Sequence, residues 1–260
     1  MKNRTIDLKP LLECLYAKLN KRDFVDPDPL IFLYNFNDLK DREIVGLIAS
    51  SLAYGRVAQI LISVRKILDP MDGKPHDFIL SHTEKEYSQI FAGFKHRFTI
   101  SDDVVKLLTG IKRTLTEYGT LETLYRQGIE KFTDFLNNSH KLYLLPSPSD
   151  GSACKRLNLY FRWMVRADEV DPGGWNKCSK KDLIIPLDTH MFKAAKLLGF
   201  TKRNSADLKT AIEITKHFAK ISPDDPVKYD FALTRLGIRD DMSFQELINL
   251  ISQHSCETGF

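Results

Sequence analysis

The segment SACKRLNLYFRWMVR, residues 152–166, has the spacing of apolar residues that an amphipathic helix shows. On a helical wheel of about 100° per residue, Arg162 and Arg166 fall about 20° to either side of Lys155. The apolar side chains fall on the opposite side: Leu157, Tyr160, Phe161 and Met164. The pattern therefore predicts a helix with one core face and one row of cations. Arginine forks match phosphate groups, although a solvated polar face gives the same pattern.

Lys155 stands at the predicted start of this helix, directly after the turn-forming residues PSDGSAC. The backbone amides make a helix start electropositive, so a protonated lysine gains nothing from the helix dipole there. The positive charges of Arg156 and Arg162 also repel a protonated amine at this position. Because an unprotonated amine is a nucleophile, the position suits covalent chemistry at Lys155.

The composition is that of an ordinary globular protein, with 260 residues, of which 43% are hydrophobic and 28% charged. The formal net charge of +4 is compatible with a polyanionic partner. No run approaches the roughly 18 apolar residues of a membrane span. The first residues, MKNRTIDLKP, contain no apolar signal segment. We therefore expect a cytoplasmic protein without a membrane partner.

Four cysteines are scattered along the chain, at Cys14, Cys154, Cys178 and Cys256. No C-x-x-C pair occurs, so we predict neither a zinc site nor an iron–sulfur cluster. Scattered thiols fit a reducing compartment, and each cysteine is expected to be a small buried hydrophobe. His190 lacks partners at metal-ligand spacing, so the sequence predicts no metal and no other cofactor.

Almost every long segment has helical periodicity, which predicts an all-α fold. The first helix is expected over residues 6–20. A longer helical segment is expected over residues 41–68, with Gly55 as the point where it breaks. Asn204 or Ser205 is expected to cap a later helix. The strand-like run Asp182–Leu187 is short.

A second group of polar residues lies in IIPLDTHMFK, residues 184–193. Asp188 follows an apolar run and directly precedes a predicted helix, so its carboxylate can cap that helix. The same position also suits a carboxylate that is held rigidly and faces a cleft. The polar tip of His190, two residues further on, is expected to face the same cleft.

These two groups together resemble the helix-hairpin-helix DNA glycosylase superfamily. In that superfamily a lysine opens an amphipathic helix after a turn, and an aspartate follows in a V-D-[TV]-H segment. ACKRLNLYF, residues 153–161, is similar to the lysine element, and PLDTHMFK, residues 186–193, to the aspartate element of the endonuclease III branch. REIVGLIASSLAYGRV and FKHRF resemble 8-oxoguanine DNA glycosylase. The chain also resembles a bacterial family that shares ACKRLN and RWMVR, a distant branch of the superfamily.

The resemblance spans about residues 41–200 and implies one compact unit of two helical lobes, approximately 41–130 and 131–260. An active-site cleft would lie between the lobes, and the helix at 6–20 would pack on the second lobe. The superfamily hairpin is usually L-P-G-[VI]-G, whereas LLPSPSDGSAC, residues 144–154, has a single glycine, Gly151. This departure puts the phosphate contact of the hairpin in doubt.

The activity that the resemblance implies is that of a DNA N-glycosylase with lysine-dependent AP lyase activity on a flipped, damaged base. Lys155 would be the nucleophile, and Asp188 would stabilise the cationic sugar. Arg162 and Arg166 would hold flanking phosphates or, if they lie too deep, pair with acids of the loop 167–171.

Other residues are expected to contact DNA, with RNA as the alternative. Tyr54 and Arg56 would fill the gap left by the flipped nucleotide, or else be a core aromatic and a surface cation. Arg156 and His190 complete the expected nucleic-acid contacts. Trp163 is better explained by core packing than by base stacking. A monomer is expected, associated with the nucleoid if DNA is the substrate.

Two other functions fit the same residues. The first is a non-catalytic nucleic-acid-binding module of the same fold, in which Lys155 and the arginines hold a phosphate backbone. The second is a hydrolase of nucleotides or nucleic acids, with Asp188 and His190 as acid and base.

Overall fold

The computed structural model of the chain describes residues 7–138 and 140–257. These residues form thirteen α-helices and one two-stranded sheet, which confirms the all-α prediction. The helices are α1 (Lys9–Leu19), α2 (Leu39–Ser51), α3 (Val57–Leu68), α4 (Pro75–Ser81), α5 (Glu84–Ile90), α6 (Ser101–Tyr118), α7 (Leu121–Tyr125), α8 (Ile129–Asn137), α9 (Lys155–Val165), α10 (Thr189–Leu197), α11 (Leu208–Ile221), α12 (Asp230–Ile238) and α13 (Phe244–Glu257). The strands are β1 (Lys95–His96) and β2 (Thr99–Ile100).

The helix breaks follow the glycines that the sequence marks. The predicted segment 41–68 is divided into α2 and α3, and Gly55 lies between them with a φ of 97°. A residue with a side chain rarely adopts this left-handed conformation, so glycine is favoured here. The first helix begins at Lys9 rather than at residue 6, which lies outside the described residues. Helix α1 packs on α12 and α13.

Two local predictions are wrong. The run Asp182–Leu187 belongs to no strand, because its residues have no paired neighbour and Lys180–Asp182 forms a short 3-10 helix. The sheet is instead the hairpin of β1 and β2, two residues per strand, which is too short to produce a visible alternation. Helix α11 is capped by Asp207, whose side chain accepts from the Thr210 amide, rather than by Asn204 or Ser205.

The cysteines are not all buried. Cys154 is buried, Cys178 is partly exposed and Cys14 is exposed. The side chain of Cys256 lies outside the described part of the chain. The expectation of small buried hydrophobes therefore holds for Cys154 and is wrong for Cys14.

Helix α9 is surrounded by protein and is not an amphipathic surface helix. All of its residues except Lys155 and Leu159 are buried. Helix α2 lies against it, and a Cβ added to Gly46 would come within 3.1 Å of the Tyr160 ring. A larger residue at 46 would therefore push the two helices apart.

An aromatic cluster holds the loop after α9 against the core. The rings of Tyr125 and Phe161 stack with centroids 4.1 Å apart, and Trp175 from the loop lies 5.2 Å from Tyr160 at an angle of 82°. Trp163 and Trp175 are 0% and 2% exposed, so both indoles belong to the core. The packing position of Trp163 is confirmed.

Glu43 is a carboxylate in the interior of α2, with 1% of its surface exposed. It accepts hydrogen bonds from the Leu121 amide at 3.2 Å and from Trp175 Nε1 at 3.1 Å. Both donors are neutral. Burial raises the pKa of Glu43 to about 7, although these hydrogen bonds oppose the shift.

We predict that Glu43 makes the stability of the protein dependent on pH. The folded state keeps the proton of Glu43 to a higher pH than the unfolded chain does. The free energy of unfolding therefore falls as the pH rises from 4.5 to about 7, by up to about 3 kcal/mol. Urea denaturation at several pH values should show a shallower fall for Glu43→Gln. If the buried amide of Glu43→Gln lowers the free energy of unfolding by the same amount at every pH, the difference in slope between the two proteins remains. Equal slopes would contradict the prediction.

Candidate functional site

A cavity of about 1330 Å³ brings together residues that are far apart in the sequence. Its wall is formed by the loop between α2 and α3, the segment that leads into α9, the first turns of α9 and α10, and one side of α12. Lys155 and Asp188 both line it. The two residues on which the sequence analysis depends therefore face one common space.

Lys155 is the first residue of α9, as the turn before it predicts. The helix begins after Cys154, which has a φ of 47° and caps the helix with no side-chain hydrogen bond. The amine of Lys155 reaches across to the Ala53 carbonyl, at the long distance of 3.4 Å. The lysine is partly exposed, so its amine can be approached from the cavity.

Asp188 is the N-terminal cap of α10, and its Oδ1 accepts from the Met191 amide at 2.7 Å. The capping prediction is confirmed. The same carboxylate lines the cavity and is only partly buried. His190 lines the cavity too and packs against Gly237 of α12, where an added Cβ would meet its Nδ1 at 2.4 Å. Because Gly237 has no side chain, α12 leaves room at this point for the imidazole of His190.

Arg156 is held between two tyrosine rings at the edge of the cavity. Its guanidinium carbon lies 4.9 Å from the centre of the Tyr54 ring and 4.6 Å from that of Tyr143. Its N–H groups donate to the carbonyls of Ser51 and Tyr143. Burial lowers the pKa of Arg156. Arg156 is 9% exposed, lines the cavity and is engaged by carbonyls of the protein itself, and its predicted contact with nucleic acid stays a prediction.

Tyr54 and Arg56 have different positions. The Tyr54 hydroxyl donates to the His96 carbonyl at 2.9 Å and lies 2.6 Å from Thr99 Oγ1, so the ring is fixed against the β-hairpin. Tyr54 is thus the packed aromatic of the two alternatives, although it lines the cavity. Arg56 is an exposed cation before α3 and is not part of the cavity wall.

Arg162 and Arg166 are not a row of surface cations. They are 3% and 2% exposed. Arg162 pairs with Asp171 at 3.1 Å and with Asp230, and Arg166 pairs with Asp168 at 2.7 Å, Asp225 at 2.9 Å and Asp171. The expected contacts with flanking phosphates are therefore replaced by the stated alternative, pairing with acids of the loop 167–171. A buried guanidinium requires such partners, because its desolvation is costly.

This buried network contains more acid than base. Two guanidiniums face four carboxylates: Asp168, Asp171, Asp225 and Asp230. Burial raises the pKa of Asp230 to about 6 against the attraction of Arg162, and the charge of Asp188 raises it further. Asp230 and the predicted catalytic carboxylate, Asp188, line the same cavity. Asp230 and its partner Arg162 both line the cavity, so the buried network extends into the cavity wall.

Sequence reasoning missed Asp230 and Tyr143, which both line the cavity. Oδ1 of Asp230 is buried and has no hydrogen-bond partner among the described residues. The available signal was an aspartate at the first position of a mostly apolar helix, DFALTRLGI. That pattern is common at helix starts, where acids favour the positive end, so it does not single out a site.

Two absences bear on the kind of site. Over residues 7–138 and 140–257 there is no group of three or more His, Cys, Asp or Glu side chains arranged to hold a metal ion. None of the helices in the described part of the chain combines the length and the apolar sequence that crossing a bilayer requires.

The fold and the cavity define a class of all-α protein in which a lysine and a carboxylate, each at a helix start, line one cavity. The chain belongs to the family described as "Protein of unknown function (DUF2400)", whose profile matches residues 28–239. The matched region contains every residue of the site discussed above. Comparison with curated proteins and with solved structures gives no match. The resemblance to helix-hairpin-helix glycosylases therefore stays a prediction.

We predict that Arg166→Ala lowers the free energy of unfolding by about 3–5 kcal/mol, because it leaves buried carboxylates without their cation. Lys106→Ala is the control, since Lys106 forms an exposed pair with Asp102 on α6 and its loss costs about 1 kcal/mol or less. Urea denaturation at pH 7 measures both. Equal losses in the two variants would show that the network contributes no more than a surface ion pair.

Proposed function

We propose that the protein is a DNA base-excision enzyme, an N-glycosylase with lysine-dependent AP lyase activity. The observation that carries the proposal is the shared cavity, in which the Lys155 amine and the Asp188 carboxylate line one space. The proposed arrangement is that of two helical lobes with the active site in the cleft between them. The cavity volume of about 1330 Å³ is ample for a nucleotide that has left its stack.

The start of α9 supports the binding of an anion near Lys155. No side chain caps this helix, so its first amides keep their donors for a ligand. Lys141, also in the cavity wall, adds an exposed cation. The hairpin before α9 carries Gly151 with a φ of 72°, one left-handed glycine where the superfamily pattern has two. Phosphate binding in the proposed enzyme therefore depends more on the helix start and the cavity lysines.

The chemistry assigned to each group follows from its position. The amine nitrogen of Lys155 attacks C1′ of the sugar as the C1′–N bond to the base breaks, with its electron pair leaving on the base. One N–H proton goes to the departing base and the other to the ring oxygen O4′, whose bond to C1′ opens to give a Schiff base. Loss of a C2′ proton then expels the 3′ phosphate. Asp188 stabilises the positive charge on the sugar and relays the protons.

Trapping with borohydride tests the role of Lys155. Incubation of the protein with DNA that contains an abasic site is expected to give a covalent complex, which Lys155→Ala abolishes because the nucleophile is gone. Lys112→Ala is the matched control, since Lys112 is also a partly buried lysine that donates to a carbonyl, that of His82, outside the cavity wall. Gel electrophoresis after reduction measures the complex. A complex that survives Lys155→Ala, or that depends equally on Lys112, would refute the proposal.

A second test separates the two roles of Asp188. Asparagine caps a helix as well as aspartate does, so Asp188→Asn should leave the melting temperature close to that of the wild type. The same change removes the charge in the cavity and should slow trapping by about 10²–10³-fold. Asp38→Asn is the control, because Asp38 caps α2 outside the cavity wall. Unchanged trapping in Asp188→Asn would limit Asp188 to capping.

The hydrolase alternative is favoured by one specific observation, the position of His190 beside Asp188 in the same wall. In that alternative these two side chains act as acid and base on a nucleotide or nucleic acid. Release of product from small nucleotides that requires His190 and not Lys155 would favour it. Salt-sensitive DNA binding without trapping would indicate the non-catalytic binding module.

A further inference from the structure

The most exposed large hydrophobic side chains of the described residues are gathered at one place. Phe98 is 67% exposed, Ile100 52% and Tyr143 48%. Phe98 and Ile100 belong to the β-hairpin, and the Phe98 ring contacts Tyr143 with centroids 5.6 Å apart. Apolar side chains that are exposed singly need no explanation, whereas a cluster of this kind marks a binding surface. We name Phe98, Ile100 and Tyr143 the aromatic tip.

The hairpin that carries the aromatic tip is firmly anchored. His96 and Thr99 face inward as a cross-strand pair and are 3% and 0% exposed. The imidazole of His96 is bonded to Ser63 Oγ at 2.9 Å and to the Tyr54 carbonyl at 3.0 Å. Phe98 is thus held out on a fixed support. A ring that is already oriented loses little conformational freedom when it binds, which favours recognition.

A line of rings leads from the aromatic tip into the cavity. Phe98 meets Tyr143 at an interplanar angle of 72°, and Tyr143 meets Tyr54 at 5.0 Å and 78°. Arg156 lies over both tyrosine rings. Tyr143, Tyr54 and Arg156 line the cavity that contains Lys155. A ligand on the tip would therefore be adjacent to a ligand in the cavity.

The charge around the tip is positive. The Arg97 guanidinium lies 5.5 Å from the centre of the Phe98 ring, and Arg97, Lys95 and Arg56 are exposed. Arg97 passes over Gly55, where an added Cβ would meet its Cδ at 2.8 Å. The nearest acids along the chain are both engaged: Asp103 accepts from the Ile100 amide at 2.8 Å and supports the hairpin, and Asp102 pairs with Lys106 at 2.6 Å. Exposed rings bordered by cations match a nucleic-acid strand, which has flat bases and anionic phosphates.

We propose that the aromatic tip is a stacking platform for an unpaired base of a nucleic-acid strand, with Phe98 as the stacking ring. The base on the tip neighbours the nucleotide that occupies the cavity, and Arg97 contacts the phosphate between them. The inference rests on the proposed function for the class of ligand, and it specifies the form of the substrate. A single exposed ring needs a base with an open face, and bases inside an intact duplex have none.

The test places a fluorescent probe on the tip. Phe98→Trp adds an exposed indole to a protein whose own Trp163 and Trp175 are buried. A base that stacks on this indole should quench its emission in a saturable manner. The ligand added in this test is a single-stranded oligonucleotide of about 10 nucleotides, which is the length that one single-strand site covers. The same sequence in a fully paired duplex should quench much less.

Two controls make the result specific. Ile248→Trp puts an indole on α13, where residue 248 is 38% exposed and the helix packs on α1 and α12, away from the hairpin. Its emission should stay unchanged. Phe98→Ala and Phe98→Leu should each weaken single-strand binding by about 5- to 150-fold, because stacking on one ring is lost. Wild-type affinity in Phe98→Leu would show that an apolar side chain suffices and would overturn the stacking role.

The fluorescence experiment is done in the Lys155→Ala background, so that it does not depend on the proposed chemistry. Quenching without borohydride trapping in the parent protein would support the platform and refute the glycosylase-lyase proposal. Trapping by the parent protein without quenching of Phe98→Trp would support the glycosylase-lyase proposal and refute the platform. Equal quenching by the paired duplex, or by inorganic polyphosphate, would overturn the platform, because charge alone would then explain the signal.

Discussion

The fold depends on the neutralisation of two arginines inside the protein. Helix α9 is enclosed on nearly every side, yet Arg162 and Arg166 lie within its buried length. Removing two guanidiniums from water is tolerable only because carboxylates meet them directly. Those carboxylates come from the loop after α9, from the loop before α12 and from the first residue of α12. The ion pairs thus fix where the loop and α12 lie relative to α9.

The cavity follows from this constraint. Once α12 is tied to α9 through Asp230, its side facing α9 becomes one wall of the cavity. Helix α10 packs on α12, which brings the start of α10 to the same space as the start of α9. Lys155 and Asp188 then face one cavity although 33 residues separate them. The long loop between them bears two acids of the network, so it is a structural part of the core.

How far the sequence predicts this site differs from residue to residue. The start of α9 at Lys155 and the cap of α10 by Asp188 were predicted correctly, because turn and capping signals are local. The row of cations was misinterpreted. A helical wheel shows that Arg162 and Arg166 share a face with Lys155, but it does not show what covers that face. Asp230 and Tyr143 were not predicted, because an aspartate at a helix start is a common pattern and because the positions of both residues depend on how distant elements pack.

The sequence by itself determined the all-α class, the break between α2 and α3 at Gly55 and the two helix starts that bear Lys155 and Asp188. These features depend on interactions within a few residues: apolar periodicity, capping and glycine conformation. Only the tertiary structure decided that Arg162 and Arg166 are buried and that Phe98 is exposed on an anchored hairpin. Burial depends on contacts between residues far apart in the chain, and the local pattern is the same for a face in water and a face against carboxylates.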